Sequence, residues 1–461
     1  MLDSPAVHGV ENLFAGGGSR LLLLRRVGLL LLLACPVLAS SQELILDQAI
    51  SLALQKNRQI KVKQLEVSKS EHDTEVMRTY QLPQFKLNMM QGQLLTKISF
   101  AFPPGTFGTL PGIGPFPPTT TDITTPRRPF TLIQAQANQP LSQLYRIGLG
   151  IDAKRLDTQI AKEELSLEEQ GIVNDVKKSF YNLVQAQSAL NATEETITLL
   201  KEINRIAANG LEEQVILKSD MLDAEAGLAK AESEATTLQD TVATLKERMN
   251  DLLARDLATE FTVSQTTEEA EPWETDLASA RARALQQRPE IREAHLKIQE
   301  AEIDRRAKKA EYIPDVSLSM NYLSPFDIKF LPENIAAVGF VLNWDVFDWG
   351  KKNQELASKT EVIEQARTAA DEAAAQIQVE VGQDFRKLAE ARQQLHVADL
   401  ELDADREKVR VALNKYDAHA VLLKDVLQMK ASLAEKTYNY QESILSFWTA
   451  RADLEKAVGE R

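Results

Sequence analysis

Apolar and polar residues change rhythm along this chain, and they do so in the same order twice. From Leu46 to Gln81 apolar side chains recur at helical spacing, at Ile50, Ala53, Leu54, Ile60, Val62 and Leu65, which predicts one helix that Pro83 ends. Past Pro83 the period falls to two, with Phe85, Leu87 and Met89 alternating with Lys86, Asn88 and Met90. That rhythm predicts a strand over about 84–95 with one face against an apolar medium. Alternation resumes at Ile133, Ala135, Ala137 and Leu141, a second strand over about 130–141. Helical spacing then runs without proline from Ile151 to Asn209, in heptad-like steps through Val173, Val176, Phe180, Leu183, Gln187 and Leu190. Such steps mark rods packed side by side, and about 58 residues at ~1.5 Å each give a rod of roughly 87 Å. The rod breaks near "ANGLEEQVILKSDML" and a returning helix, Met221–Ala254, follows. The pair is a helical hairpin over about 146–255.

The second half repeats the first. "ALQKNRQI" at Ala53–Ile60 returns as "ALQQRPEI" at Ala284–Ile291, and the same offset takes Leu46 to Leu277, Pro83 to Pro314 and Leu87 to Leu318. A second run, at a shorter offset, pairs Val176 with Val381, Phe180 with Phe385, Leu183 with Leu388, Leu190 with Leu395 and Asp220 with Asp425. One insertion therefore separates two copies, 40–272 and 273–461, and the period is too long for a solenoid. The second copy predicts strands over about 315–323 (Val316, Leu318, Met320, Tyr322) and 336–346 (Val338, Phe340, Leu342, Trp344, Val346) and a helical hairpin over about 351–458. Arg392 stands where the first stripe has Gln187. The insertion falls in Ser99–Pro129, a Pro-, Gly- and Thr-rich stretch whose counterpart is the short "SPFDIKFLPEN". So many breakers predict an exposed loop without helix or regular sheet.

Four strands of about 9–11 residues reach across a bilayer when tilted, yet they are too few for a closed barrel, which starts at about eight. In a membrane, several chains would have to share one cylinder, because unpaired strand edges are too costly in hydrocarbon. Trp344, Phe347 and Trp349 cluster where the last strand meets its helix, the place of an interfacial belt. The other reading of the same residues is a small soluble sheet capping a coiled coil.

At the amino end, Arg25 and Arg26 precede an apolar run and then small residues, Val37 and Ala39. This predicts a signal peptide over 1–39, with the mature chain starting near Ser40. The run is under the ~20 residues of a membrane span. Cys35 in "LLAC" admits a second reading, a lipobox with Cys35 acylated after cleavage at Ala34. Both routes export the protein.

Charge and composition then remove whole classes of function. A net charge of −14 excludes the basic footprint of nucleic-acid binding. A single cysteine leaves no disulfide framework and no cysteine-based zinc site. His8, His72, His295, His396 and His419 form no metal-spaced pair, and no nucleophile motif is present. The expectation is no catalytic residue, no cofactor and no metal.

The duplicated "LDQAISLALQKNRQI…LPQFKLN" and "LASARARALQQRPEI…IPDVSLS", the join "NWDVFDWG" and the turn "YDAHAVLLKDVLQMKASL" together resemble the TolC-type outer-membrane efflux family, from about Leu44 to Gly459. The resemblance implies a mainly α protomer with a small transmembrane β part. It implies a homotrimer, with a shared twelve-stranded β-barrel in the lipid of the outer membrane and a hollow α-barrel extending through the periplasm. It implies an exit duct of an efflux or type I secretion machine, working with a periplasmic adaptor and an inner-membrane transporter. On that footing Asp220, Asp223, Asp425 and Gln428 belong to the periplasmic aperture, and Gly210, Leu211, Tyr416 and Leu422 to the adaptor-docking turns. Helix capping is the alternative role for Asp220, Asp223 and Asp425, and Gln428 stands where an acid is frequent in the family. The chain departs from the family in its long Ser99–Pro129 loop and in the join "NQPLSQLYRIG", which lacks the aromatic and Asp residues of its partner. The rival to a duct is a non-channel periplasmic coiled-coil structural or adaptor protein.

Overall fold

A computed structural model describes residues 42–125, 127, 129–212, 217–264, 276–326, 332–418 and 420–460. The leader, with Cys35, lies outside the described residues, and the fold below is that of the unit beginning at Glu43. The first copy contains β1 (Gln42–Leu44), α1 (Leu46–Lys56), α2 (Arg58–Thr79), β2 (Gln84–Gln93), β3 (Ile98–Phe102), β4 (Thr109–Leu110), β5 (Gly114–Pro115), β6 (Thr121–Thr125), β7 (Pro129–Pro140), α3 (Leu144–Glu212), α4 (Lys218–Leu252) and β8 (Phe261–Val263). The second contains α5 (Leu277–Gln287), α6 (Pro289–Ala310), β9 (Asp315–Phe326), β10 (Ile335–Asn343), α7 (Lys351–Asp417) and α8 (Leu423–Ala457). At 69 residues, α3 is a rod of about 104 Å.

Three expectations need correction. The helix expected over Leu46–Gln81 is two helices, broken at Asn57, whose backbone leaves the helical region at ψ 135. Its side chain explains the break. Asn57 Oδ1 accepts from the backbone of Gln59 (2.8 Å) and Ile60, capping α2, while Nδ2 donates to the Leu252 carbonyl at 2.9 Å. Nor does Pro83 end the helix, since α2 stops at Thr79. In the second copy the break falls at Arg288, with Pro289 in the first turn of α6, where a missing N–H costs nothing.

Second, the Pro-rich stretch contains regular sheet. Strands β3 and β6 pair antiparallel with Phe100 opposite Ile123, and β4 pairs with β5. Gly105, Gly108 and Gly112 sit in the turns at positive φ, leaving Thr and aromatic residues free to pair. Third, the polar positions of the heptad stripe lie off the seam: Ala186 and Ala391 are buried, whereas Gln187 is half-buried and Arg392 exposed. A small residue one position earlier closes each seam without burying a polar group.

The core lies where the helical hairpins meet the short helices. Leu44, Ile60, Ile172, Val176, Leu183, Met249, Leu253 and Phe261 form one cluster, and Ala280, Ile377, Val381, Leu388, Trp448 and Leu454 a second. They join across α3 and α8, where Tyr181 stacks on Trp448 at 5.3 Å and Lys177 pairs with Glu455 at 2.7 Å. Arg288, its side chain 6% exposed, binds Glu290 and Glu380 and donates to the Ala457 carbonyl. It ties α6, α7 and α8 together at one point.

Candidate functional site

The four long strands form one antiparallel sheet in the order β10-β9-β7-β2. Its register gives it two unlike faces. On one side Phe85 faces Ala137 and Leu87 faces Ala135, Ala137 faces Met320, and Met320 faces Val338 and Leu318 faces Phe340. Phe85, Leu87, Val338 and Phe340 are each more than 70% exposed. Large apolar side chains left open in a continuous patch mark a surface made for something other than water. The opposite face carries Lys86, Gln136 and Asn321 at one level and Gln84, Asn138 and Ser319 at the next. Among the described residues, nothing in the chain pairs with the outer edge of β2 or of β10.

At the helical end of the sheet the join from β7 to α3 is tied to the start of β9 by Arg146 and Asp315, 3.1 Å apart. Trp344, Phe347 and Trp349 are all exposed there, Trp349 at 90%, and Phe347 meets Trp349 edge-to-face at 4.8 Å. Trp349 takes φ 56, a left-handed conformation that L side chains avoid. Asp348 holds the turn, its carboxylate accepting from the backbone of Gly350 and of Lys352 at 3.0 Å each. Those donors hold its carboxyl below the usual range, the Lys352 amide foremost. Sequence reading took the tryptophans as a belt and missed Asp348; a carboxylate two residues before a glycine at a helix start was the available sign.

At the far end, the tips of the two helical hairpins lie together. Ile203 and Ala207 of α3 and Ala224 of α4 form a buried cluster against which Leu200, Tyr416 and Leu427 pack. Gly210 and Leu211, both half-buried, end α3. Leu217 and Leu422, related by the repeat, precede α4 and α8 with no side-chain cap and are 69% and 61% exposed. Asp220 is half-buried in the first turn of α4, accepting from Ser219 Oγ at 3.4 Å. Asp223 and Gln428 are exposed. Asp425 Oδ2 accepts from the Leu422 backbone N–H at 3.0 Å, so this carboxylate caps α8.

Among the described residues, nothing gathered elsewhere suits bond chemistry. An open groove of about 570 Å³ between α3, α7 and α8 is lined by Lys178, Lys387, Glu390, Glu442 and Asp453, and Lys178 and Asp453 pair at 2.5 Å. Among the described residues there is no group of three metal-ligating side chains and no helix long and apolar enough to cross a membrane.

The chain, which carries this two-faced sheet on two pairs of long rods, matches the outer membrane efflux protein family over residues 49–255 and 280–460. The chain belongs to that family. As an outer membrane efflux protein it is an exit duct of efflux systems in the outer membrane, with a long periplasmic helical part, and not an enzyme. Proteins of the family are trimeric channels that work with adaptor and pump components. Its fold is similar to that of CusC (17% identity, 90% of this chain and 92% of that one, TM-score 0.72). It is also similar to the CmeC outer membrane channel of Campylobacter jejuni (15%, 90% and 85%, 0.73) and to the open state of the MtrE outer membrane channel of Neisseria gonorrhoeae (16%, 90% and 89%, 0.69). No curated protein matches the chain.

Proposed function

We propose that three copies of this chain close a twelve-stranded barrel in the outer membrane and that their helices line one continuous passage through the periplasm. The observation that carries this reading is the pair of free edges. Because each neighbour in β10-β9-β7-β2 is antiparallel, β10 of one copy meets β2 of the next antiparallel as well, and three copies repeat without a break in pattern. Each unpaired backbone group costs several kcal/mol in lipid, so closure is favoured strongly. The exposed apolar face then meets lipid, and Trp344, Phe347 and Trp349 sit at the periplasmic interface.

In this reading Gly210, Leu211, Tyr416 and Leu422 take the hairpin tip of a periplasmic adaptor, which links the duct to an inner-membrane transporter. Asp220, Asp223, Asp425 and Gln428 ring the aperture, and residues 1–39 are removed on export. Passage is passive and the transporter supplies the energy. Membrane fractionation tests this. Release should require detergent and yield a particle with the mass of three chains; a monomer washed off by salt would refute it.

A further inference from the structure

Across the four strands of the sheet, Lys86 is the sole cation, and the sole carboxylate, Asp315, is already bound to Arg146 at the helical end. Lys86 lies opposite Gln136 on β7, and Gln136 lies opposite Asn321 on β9. These three side chains stand at one level on the polar face, away from Phe85, Leu87, Val338 and Phe340. Lys86 is exposed and, among the described residues, has no hydrogen-bond or ion-pair partner. Adjacent strands are about 4.8 Å apart, so an ammonium and two amide side chains cover roughly 10 Å of wall. Asn321 donates one N–H to Ser319 Oγ at 3.1 Å, which orients its amide along that wall.

We infer that Lys86, Gln136 and Asn321 form an oxyanion-recognising ladder, repeated three times around the lumen of the β-barrel, that binds the phosphate, sulfate or carboxylate groups of passing solutes. The inference rests on the barrel reading above. The chemistry is that of a point charge with two neutral donors beside it in a row: the ammonium attracts the anion and the amide N–H groups share its oxygens. Low-dielectric walls concentrate that field across the passage. It is short-ranged at physiological salt, where the Debye length is about 8 Å. The ladder therefore acts on multivalent groups that come close to the wall and hardly on small ions along the axis. The overall charge of −14 makes a cationic ring stand out as a local reversal.

The test uses the full-length trimer in a planar bilayer with inorganic tripolyphosphate added on the outer side. Tripolyphosphate should interrupt the unitary current, and less so as salt is raised. Lys86→Gln should weaken the block about tenfold, the scale of losing a charge-assisted hydrogen bond, whereas Lys86→Arg should retain it. An equal block in wild type and Lys86→Gln, with unitary currents intact, would overturn the ladder and leave the duct standing. Absence of unitary currents from the wild-type protein would sink the barrel, and the ladder with it.

Discussion

Asp425 has two roles that different substitutions separate. Its bond to the Leu422 amide needs only an acceptor oxygen, which asparagine keeps, while a charged ring at the aperture needs the carboxylate. Asp425→Asn should leave the thermal midpoint near wild type and weaken block of single-channel current by multivalent cations. Asp425→Ala should also lower stability by about 1 kcal/mol through the lost cap. A residue-level strain offers a second outcome. Ala254 sits at φ 51 just past α4, where the repeat places Gly459 at φ 88 past α8. A left-handed alanine costs roughly 1–2 kcal/mol, so Ala254→Gly should raise the melting temperature of the detergent-solubilised protein. The correspondence of the two sites was legible from the repeat. The strain was not, because dihedral angles leave no mark in a list of residues until one copy shows glycine.

Between elements, ion pairs along the helix flanks add to the apolar clusters: Arg292 with Glu163 joins α6 to α3 at 2.7 Å, and Lys308 with Glu355 joins α6 to α7 at 2.7 Å. Glu300 on α6 is the misfit. Burial, then Asp157 of α3 and Asp304, push its carboxyl above the ordinary value, against a smaller opposing pull from Lys154 and Lys297. Folding thus favours the protonated form. Its contribution to stability is present in full below the unfolded value of about 4.3 and is lost as pH rises through the raised folded one. Glu300→Gln should therefore raise the melting temperature at pH 7 and change it little at pH 4. Rhythm showed where helices and strands run, since 3.6 and 2.0 residues per repeat are properties of the chain alone. It failed at Asn57 because the partner that stabilises the break, the Leu252 carbonyl, is distant in sequence, and in the Pro-rich stretch because glycine turns can punctuate a ladder as well as a loop.

For the whole molecule, the strand count already argued for sharing between chains, whereas the direction of each edge, which decides how copies join, appeared only with the register. Burial at the amino end adds one more constraint. Leu44 is 1% exposed, in a cluster with Ile172 and Val176, and β1 is fastened to β8. From Leu144, where α3 leaves the sheet, to Ile172 is about 42 Å of helix. The nine residues from Cys35 to Leu44 reach at most about 32 Å when stretched straight. A lipid on Cys35 would be on too short a leash to touch the bilayer without unhooking β1. The intact mass of the mature chain should accordingly match a start at Ser40 with no fatty acyl group, and a diacylglyceryl adduct at Cys35 would mean that this first strand lets go.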